Sequence, residues 1–186
     1  MLALAGHLPS REEAIRILRS VGCPDNVIRH CLRVAKLATR IARACLRAGL
    51  SVDLALVEAG ALLHDMGRAR VRGIYHAFVG AEMARELGLD ERLVRLIARH
   101  TGGVRPSVAE EMGWPPGEYA PETLEEKIVA YADKLVEGRR ILPFEEALAR
   151  LKEELGPGHP AIRNLARIHE EFKPIMGGEL ETASSP

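Results

Sequence analysis

The sequence predicts an all-α domain, on three observations. Apolar residues recur at spacings of three and four over long stretches, as one face of a helix requires. The segments Ser10-Arg11-Glu12-Glu13 and Thr123-Leu124-Glu125-Glu126 each carry a capping box, in which a hydroxyl and a carboxylate satisfy the free amides that open a helix. No stretch alternates polar and apolar residues over a strand's length. At 186 residues and 47% hydrophobic, the chain is read as a single domain with a sizeable core, with flexible ends at about 1–9 and 174–186.

The elements follow in order. The Ser10 box opens a helix to about residue 20. Asp25 is placed to cap a long second helix ending near Gly49. Its apolar stripe is Val27, Cys31, Val34, Ala38, Ile41 and Cys45. A third helix covers about 52–65, and Gly67 suits its end. A fourth covers about 76–87, and Asp90 caps a fifth that ends near His100. The Thr123 box starts a helix to about 138. Pro143 fits the first turn of the next, and a last helix spans about 159–172. Between His100 and Thr123 lies one long irregular segment, 101–122, with four prolines, four glycines, Trp114 and Tyr119. Ser107 is placed to start a short helix inside it. A segment of that length in a compact domain is read as functional, here a lid over the site.

Composition removes several classes. Lys plus Arg and Asp plus Glu number 26 each, so no net charge draws the chain to nucleic acid or membrane. No apolar run reaches membrane-spanning length, and the first residues lack a secretion signal, so a cytoplasmic location is expected. Cys23, Cys31 and Cys45 are read as reduced core thiols, since two of them share one apolar stripe.

The chemistry lies in histidines and aspartates. His64-Asp65 closes the apolar run Ala59-Gly60-Ala61-Leu62-Leu63. His30 precedes it, and His76, His100 and Asp133 follow. Imidazole and carboxylate together suit Fe, Mn, Ni or Zn. The spacing is far too wide for a zinc finger, so folding must gather the ligands from several helices. Asp133 sits among Ile128, Val129, Ala130, Ala132 and Leu135, where an unpaired carboxylate is costly. His7, His159 and His169 fit no such pattern and are read as structural.

These residues resemble the HD-domain superfamily of metal-dependent phosphohydrolases, and His64-Asp65-Met66-Gly67-Arg68 resembles its HDIG variant. Most of the chain, about 12–172, is similar to archaeal HDIG-domain proteins of unassigned function. His76 to Glu82, His100-Thr101-Gly102, the stretch from Leu124 to Asp133, and Glu137-Gly138-Arg139 are also similar to bacterial symmetrical diadenosine tetraphosphatases. Only ten residues separate Asp65 from His76, fewer than expected for that family, which puts its substrate in question.

The resemblance implies an HD-domain helical bundle and a hydrolase of nucleotide-like phosphoesters or phosphoanhydrides, with a metal-activated hydroxide as nucleophile. His30, His64, Asp65 and Asp133 would hold one divalent transition metal, and His76 and His100 a second, with Asp65 bridging. Asp65 and Arg68 are the expected catalytic residues. Arg68, Lys134, Arg139 and Arg105 are the expected phosphate contacts, with Trp114 or Tyr119 beside the base. The expected partner is a small phosphate or nucleotide substrate; a membrane is not expected, and self-association is left open. Two other classes stay in view: a metal-stabilised nucleic-acid-binding or scaffold module, and a di-iron oxygenase. The first draws on a basic stripe of the second helix, Arg29, Arg33, Lys36, Arg40, Arg43 and Arg47, about 200° around from its apolar stripe. With aromatics at 4% for base stacking, the stripe is read as a solvated or internally paired face, and no nucleic-acid partner is expected.

Overall fold

The computed structural model describes residues 6–176. Among them the chain is almost wholly helical, as expected. The helices are α1 (Arg11–Ser20), α2 (Asp25–Arg47), α3 (Leu54–Leu63), α4 (His76–Glu86), α5 (Glu91–Arg99), α6 (Pro106–Glu111), α7 (Leu124–Leu135), α8 (Phe144–Leu155) and α9 (Pro160–Met176). A 3-10 turn, Met66–Ala69, lies between α3 and α4. None of these helices is long and apolar enough to cross a membrane.

Both capping boxes form as the sequence requires. Ser10 accepts from the Glu13 amide and Thr123 from the Glu126 amide, and each glutamate reaches back to the cap. Asp90 caps α5. The α2 start differs: Pro24, in extended conformation, takes the cap position, so Asp25 is the first helical residue and acts on the helix dipole. Asp53 caps α3 through the Leu56 amide. α2 forms the centre of the core. Val27, Cys31, Val34, Ala38, Ile41 and Cys45 are all buried, and the helix packs against α3 and α7. Each large aliphatic side chain so buried contributes roughly 1.5–3 kcal/mol.

Four expectations are corrected. α3 stops at Leu63 rather than near Asp65, because Asp65 (φ −98, ψ 11) leaves helical geometry for the 3-10 turn. Gly67 is no left-handed cap. A Cβ there would stand 2.0 Å from the His76 carbonyl oxygen and 2.6 Å from the Gly80 amide nitrogen, so the glycine permits close packing of the turn on α4. α7 ends at Leu135, and a small antiparallel hairpin follows, β1 (Val136–Glu137) and β2 (Arg140–Ile141), turning at Gly138 with φ +54. α9 runs through Pro174 to Met176. At the other end His7 bonds Asp90 through backbone and Glu13 through its ring, so residues 7–9 are anchored. Of the expected loose ends, 1–5 and 177–186 lie outside the described residues.

The Gly67 contact yields a prediction. Gly67→Ala sets a methyl against backbone that cannot swing aside, so a cost near the top of the overpacking range, about 3 kcal/mol, is expected. Thermal melting should show the midpoint lowered by roughly 6–12 °C for a chain of this size. An unchanged midpoint would mean that the turn does not pack this tightly in solution.

Candidate metal centre

Six separate chain positions deliver the site. His30 projects from the first half of α2. His64 ends α3, and Asp65 begins the 3-10 turn. His76 opens α4, His100 closes α5, and Asp133 lies in the last turn of α7. All six side chains that the sequence singles out as ligands come together. His64, Asp65, His76 and His100 are buried, while His30 and Asp133 line the opening.

Backbone contacts fix which ring nitrogen faces inward. Nδ1 of His64 lies 2.9 Å from the Ala61 carbonyl, and Nδ1 of His100 lies 2.7 Å from that of Ile97; His76 makes the same bond to Gly73. A carbonyl can only accept, so each Nδ1 carries a hydrogen and each neutral ring turns a bare Nε2 lone pair inward. The Nε2 atoms of His76 and His100 then face each other at 3.0 Å. Asp65 Oδ1 lies 3.0 Å from His76 Nε2 and 3.6 Å from His100 Nε2, and Asp133 Oδ1 lies 2.9 Å from His30 Nε2 and 3.4 Å from His64 Nε2. His64 Nε2 and Asp65 Oδ1 are buried without a hydrogen-bond partner. Inward lone pairs and carboxylate oxygens with nothing to bond repel one another unless a cation joins them. Two overlapping sets, His30-His64-Asp133 and His64-Asp65-His100, hold their donor atoms within 4.8 Å of one another. This donor set fits a divalent transition metal.

Each carboxylate is clamped from outside. Arg68 Nε sits 2.7 Å from Asp65 Oδ2, and Lys134 Nζ sits 2.6 Å from Asp133 Oδ2. The outer oxygens are thereby occupied and the inner ones point at the imidazoles. Burial pushes both carboxyls up. His64, with His100 and His76, nonetheless holds Asp65 well below the usual carboxylate range, and Lys134 with His30 and His64 does the same for Asp133. Burial likewise opposes charge on His64, but Asp65 and Asp133 raise its pKa, so a proton competes with any metal there.

His100 is different: burial dominates and pushes it from 6.5 down to about 4. Unfolded, it takes a proton near 6.5; folded, only near 4. Through that window the unfolded chain binds more protons, so His100 makes the metal-free protein less stable as pH falls from 6.5 to 4. The depressed carboxylates act in the same sense at lower pH, whereas the raised His64 contributes stability that is lost only at pH above its ordinary value. Denaturant midpoints of chelated protein are expected to decline across this acid range. A His100→Asn variant that declines as steeply would remove His100 from the account.

The site opens into a cavity of about 470 Å³. Arg68 and Lys134 line it, as expected of phosphate contacts. Arg105 and Arg139 do not. Arg105 is exposed and stands at the start of α6, and Arg139 caps the hairpin over a different hollow. From segment 101–122 only Thr101 reaches the cavity. The rest is folded onto the body: Val104 bonds Glu118 through backbone, α6 occupies the middle, and Trp114 and Tyr119 pack edge-to-face on Phe78. Arg85 covers the Trp114 ring at 4.8 Å. The aromatic pair is therefore a satellite core that supports α4, and the expected lid beside a base is corrected. Gly73 and Ile74 of the short connection between Asp65 and His76 also line the cavity, whereas Asn26 and Arg150, Leu151, Glu154 and Leu155 of α8 were not foreseen. Arg150 ties α8 to the hairpin through Glu137 at 2.7 Å, with its Nε buried and unbonded.

The other residues keep the structural roles expected of them. Cys23, Cys31 and Cys45 are buried free thiols, and burial pushes Cys23 up to about 11. His159 receives the Ala161 amide, and His169 bonds the Tyr131 hydroxyl and stacks on Phe144.

Known proteins share this sequence and fold. An uncharacterised protein of Methanocaldococcus jannaschii is 42% identical over 166 residues, covering 89% of this chain and 98% of that one. A tRNA (cytidine(56)-2'-O)-methyltransferase of Picrophilus torridus is 38% identical over 96% of this chain, which spans only 50% of that protein's length. The HD domain of the Listeria monocytogenes phosphodiesterase PgpH, solved with cyclic-di-AMP, shares the fold at a TM-score of 0.54 and 15% identity, over 89% of this chain and 96% of the other. The profile of the HD domain matches residues 27–138, and the chain belongs to that family.

Proposed function

We propose that the protein is a metal-dependent phosphohydrolase that cleaves a phosphodiester or phosphoanhydride of a nucleotide. What carries this reading is the inward set of bare imidazole nitrogens and carboxylate oxygens, with His64 Nε2 and Asp65 Oδ1 left without partners and Asp65 lining an open cavity. The PgpH domain, a phosphodiesterase solved with a cyclic dinucleotide, supports the same class.

In this reading His30, His64, Asp65 and Asp133 would hold one ion, and His76 and His100 with Asp65 would hold a second. Two such ions supply a nucleophile at neutral pH and stabilise phosphoryl oxygens. The chain's own residues do the rest. Water adds to phosphorus, the bond to the leaving oxygen breaks, and that oxygen takes up a proton. Arg68 and Lys134 hold the outer carboxylate oxygens and so aim the inner ones, and both residues line the cavity, where negative charge develops. Ile74, Leu151 and Leu155 form the apolar part of the wall.

The test is metal analysis coupled to a substrate screen. Reconstituted protein is expected to hold about two ions per chain and to hydrolyse bis-p-nitrophenyl phosphate or a dinucleotide. His76→Ala and His100→Ala should each lower the ion count. Saturation at one ion in wild type and both variants would overturn the dinuclear form. Metal loading without turnover of any phosphoester would overturn the hydrolase reading.

A further inference from the structure

Beside the metal cavity lies a second hollow of about 440 Å³, between α2 and the hairpin. Five of its lining residues are cationic: Arg33, Lys36 and Arg40 of α2, and Arg139 and Arg140 of the hairpin; none is acidic. Val136 lines both hollows, so the two are neighbours. The α2 register makes the connection directional. Arg33 stands one turn beyond His30, and the helix carries Lys36 and Arg40 about 9 and 15 Å along its axis from that ligand.

The sequence reading took this stripe as solvated or internally paired. The structure pairs Arg40 and Arg47 but leaves other members of the stripe unpaired. Among the described residues Arg33, Lys36 and Arg139 make no ion pair or hydrogen bond, while Arg140 meets Glu146 at the rim. Three unpartnered cations, Arg33, Lys36 and Arg139, gathered around one concavity are what a polyanion needs. The hairpin turn at Gly138, which the sequence did not reveal, is what brings Arg139 and Arg140 opposite α2.

We infer that this hollow binds the flanking phosphates of a single-stranded nucleic acid whose scissile phosphodiester lies at the metal centre. The inference rests on the phosphodiester reading above and names its substrate class. The span from His30 outward exceeds what a mononucleotide covers, and two neighbouring hollows that share Val136 suit a strand that leaves one and enters the next. No aromatic side chain lines the hollow, so it grips backbone charge and reads no base.

The experiment measures binding of a labelled oligouridylate to metal-free full-length protein over a salt series, and in parallel turnover of bis-p-nitrophenyl phosphate by metal-loaded protein. Arg33→Gln with Lys36→Gln is compared with wild type. The expected result is oligonucleotide binding weakened at least tenfold, a log-log salt slope shallower by about 1.4 for two lost phosphate contacts, and unaltered turnover of the small ester. An oligoadenylate should bind as tightly as the oligouridylate. The inference is overturned if wild type does not bind the strand, if the variant binds it equally, or if a dinucleotide binds as tightly as the longer strand. It is also overturned if anionic lipid vesicles bind in place of the strand. Failure of the small-ester assay alone, with strand binding and its variant dependence intact, removes the hydrolase reading and leaves a strand-binding surface.

Discussion

Asp65→Ala is expected to lower kcat/KM for phosphoester hydrolysis by at least about a thousandfold, or roughly 4 kcal/mol of transition-state stabilisation. The magnitude follows from its place. Its inner oxygen lies within 3.0 Å of His76 Nε2 and 3.6 Å of His100 Nε2, and its outer oxygen lies 3.7 Å from His64 Nε2. Among the described residues no other carboxylate lies this close to His64, His76 and His100 together. The fold should survive, because the Arg68 side chain released by the change is 38% exposed and can turn to water. Circular dichroism should therefore match wild type while metal content falls. Activity retained within about tenfold would show that Asp65 does not join two ions.

Removal of metal is expected to have the largest effect on stability. Six candidate ligands from five helices and the 3-10 turn converge on one site, and the unfolded chain offers no such site. At free metal a thousandfold above the dissociation constant, binding stabilises the folded state by about 4 kcal/mol. For a chain of this length that is a melting midpoint lower by roughly 8–16 °C after chelation. Restoring Mn, Fe, Zn or Ni should restore it to differing degrees and so rank the metals. A midpoint indifferent to chelator would mean that the site is filled too weakly to matter to the fold.

Much of the fold was legible because its signals are local. A capping box such as Ser10 to Glu13 is completed within one turn, and the α2 stripe repeats over six turns. The ligands were legible for another reason: six polar residues placed at the ends or apolar faces of helices make little sense apart. What failed to show was pairwise and distant. A strand of two residues, Val136 and Glu137, is too short to alternate, so the hairpin that carries Arg139 away from the metal cavity was not legible. Gly67 looks like any helix-ending glycine until His76 is packed on it. The α8 wall, Arg150 to Leu155, reads as an ordinary amphipathic surface, and only the tertiary fold brings it over residues of α2 and α7. Trp114 and Tyr119 were drawn toward the site by sequence proximity to His100, whereas apolar burial against Phe78 took them elsewhere.

The outer clamps on the two carboxylates have a consequence for the order of events. Asp65 with Arg68, and Asp133 with Lys134, make two neutral couples. An incoming phosphate dianion thus meets no net attraction from these four side chains in the metal-free protein. One divalent ion gives the same surroundings a surplus of two positive charges, and a second ion doubles it. Ligand addition should therefore be ordered. Metal enters a site whose repulsions it relieves, and only then does the anion find a field that holds it. Phosphate affinity should rise steeply with metal saturation, and by thermodynamic reciprocity saturating phosphate should slow metal loss to a chelator.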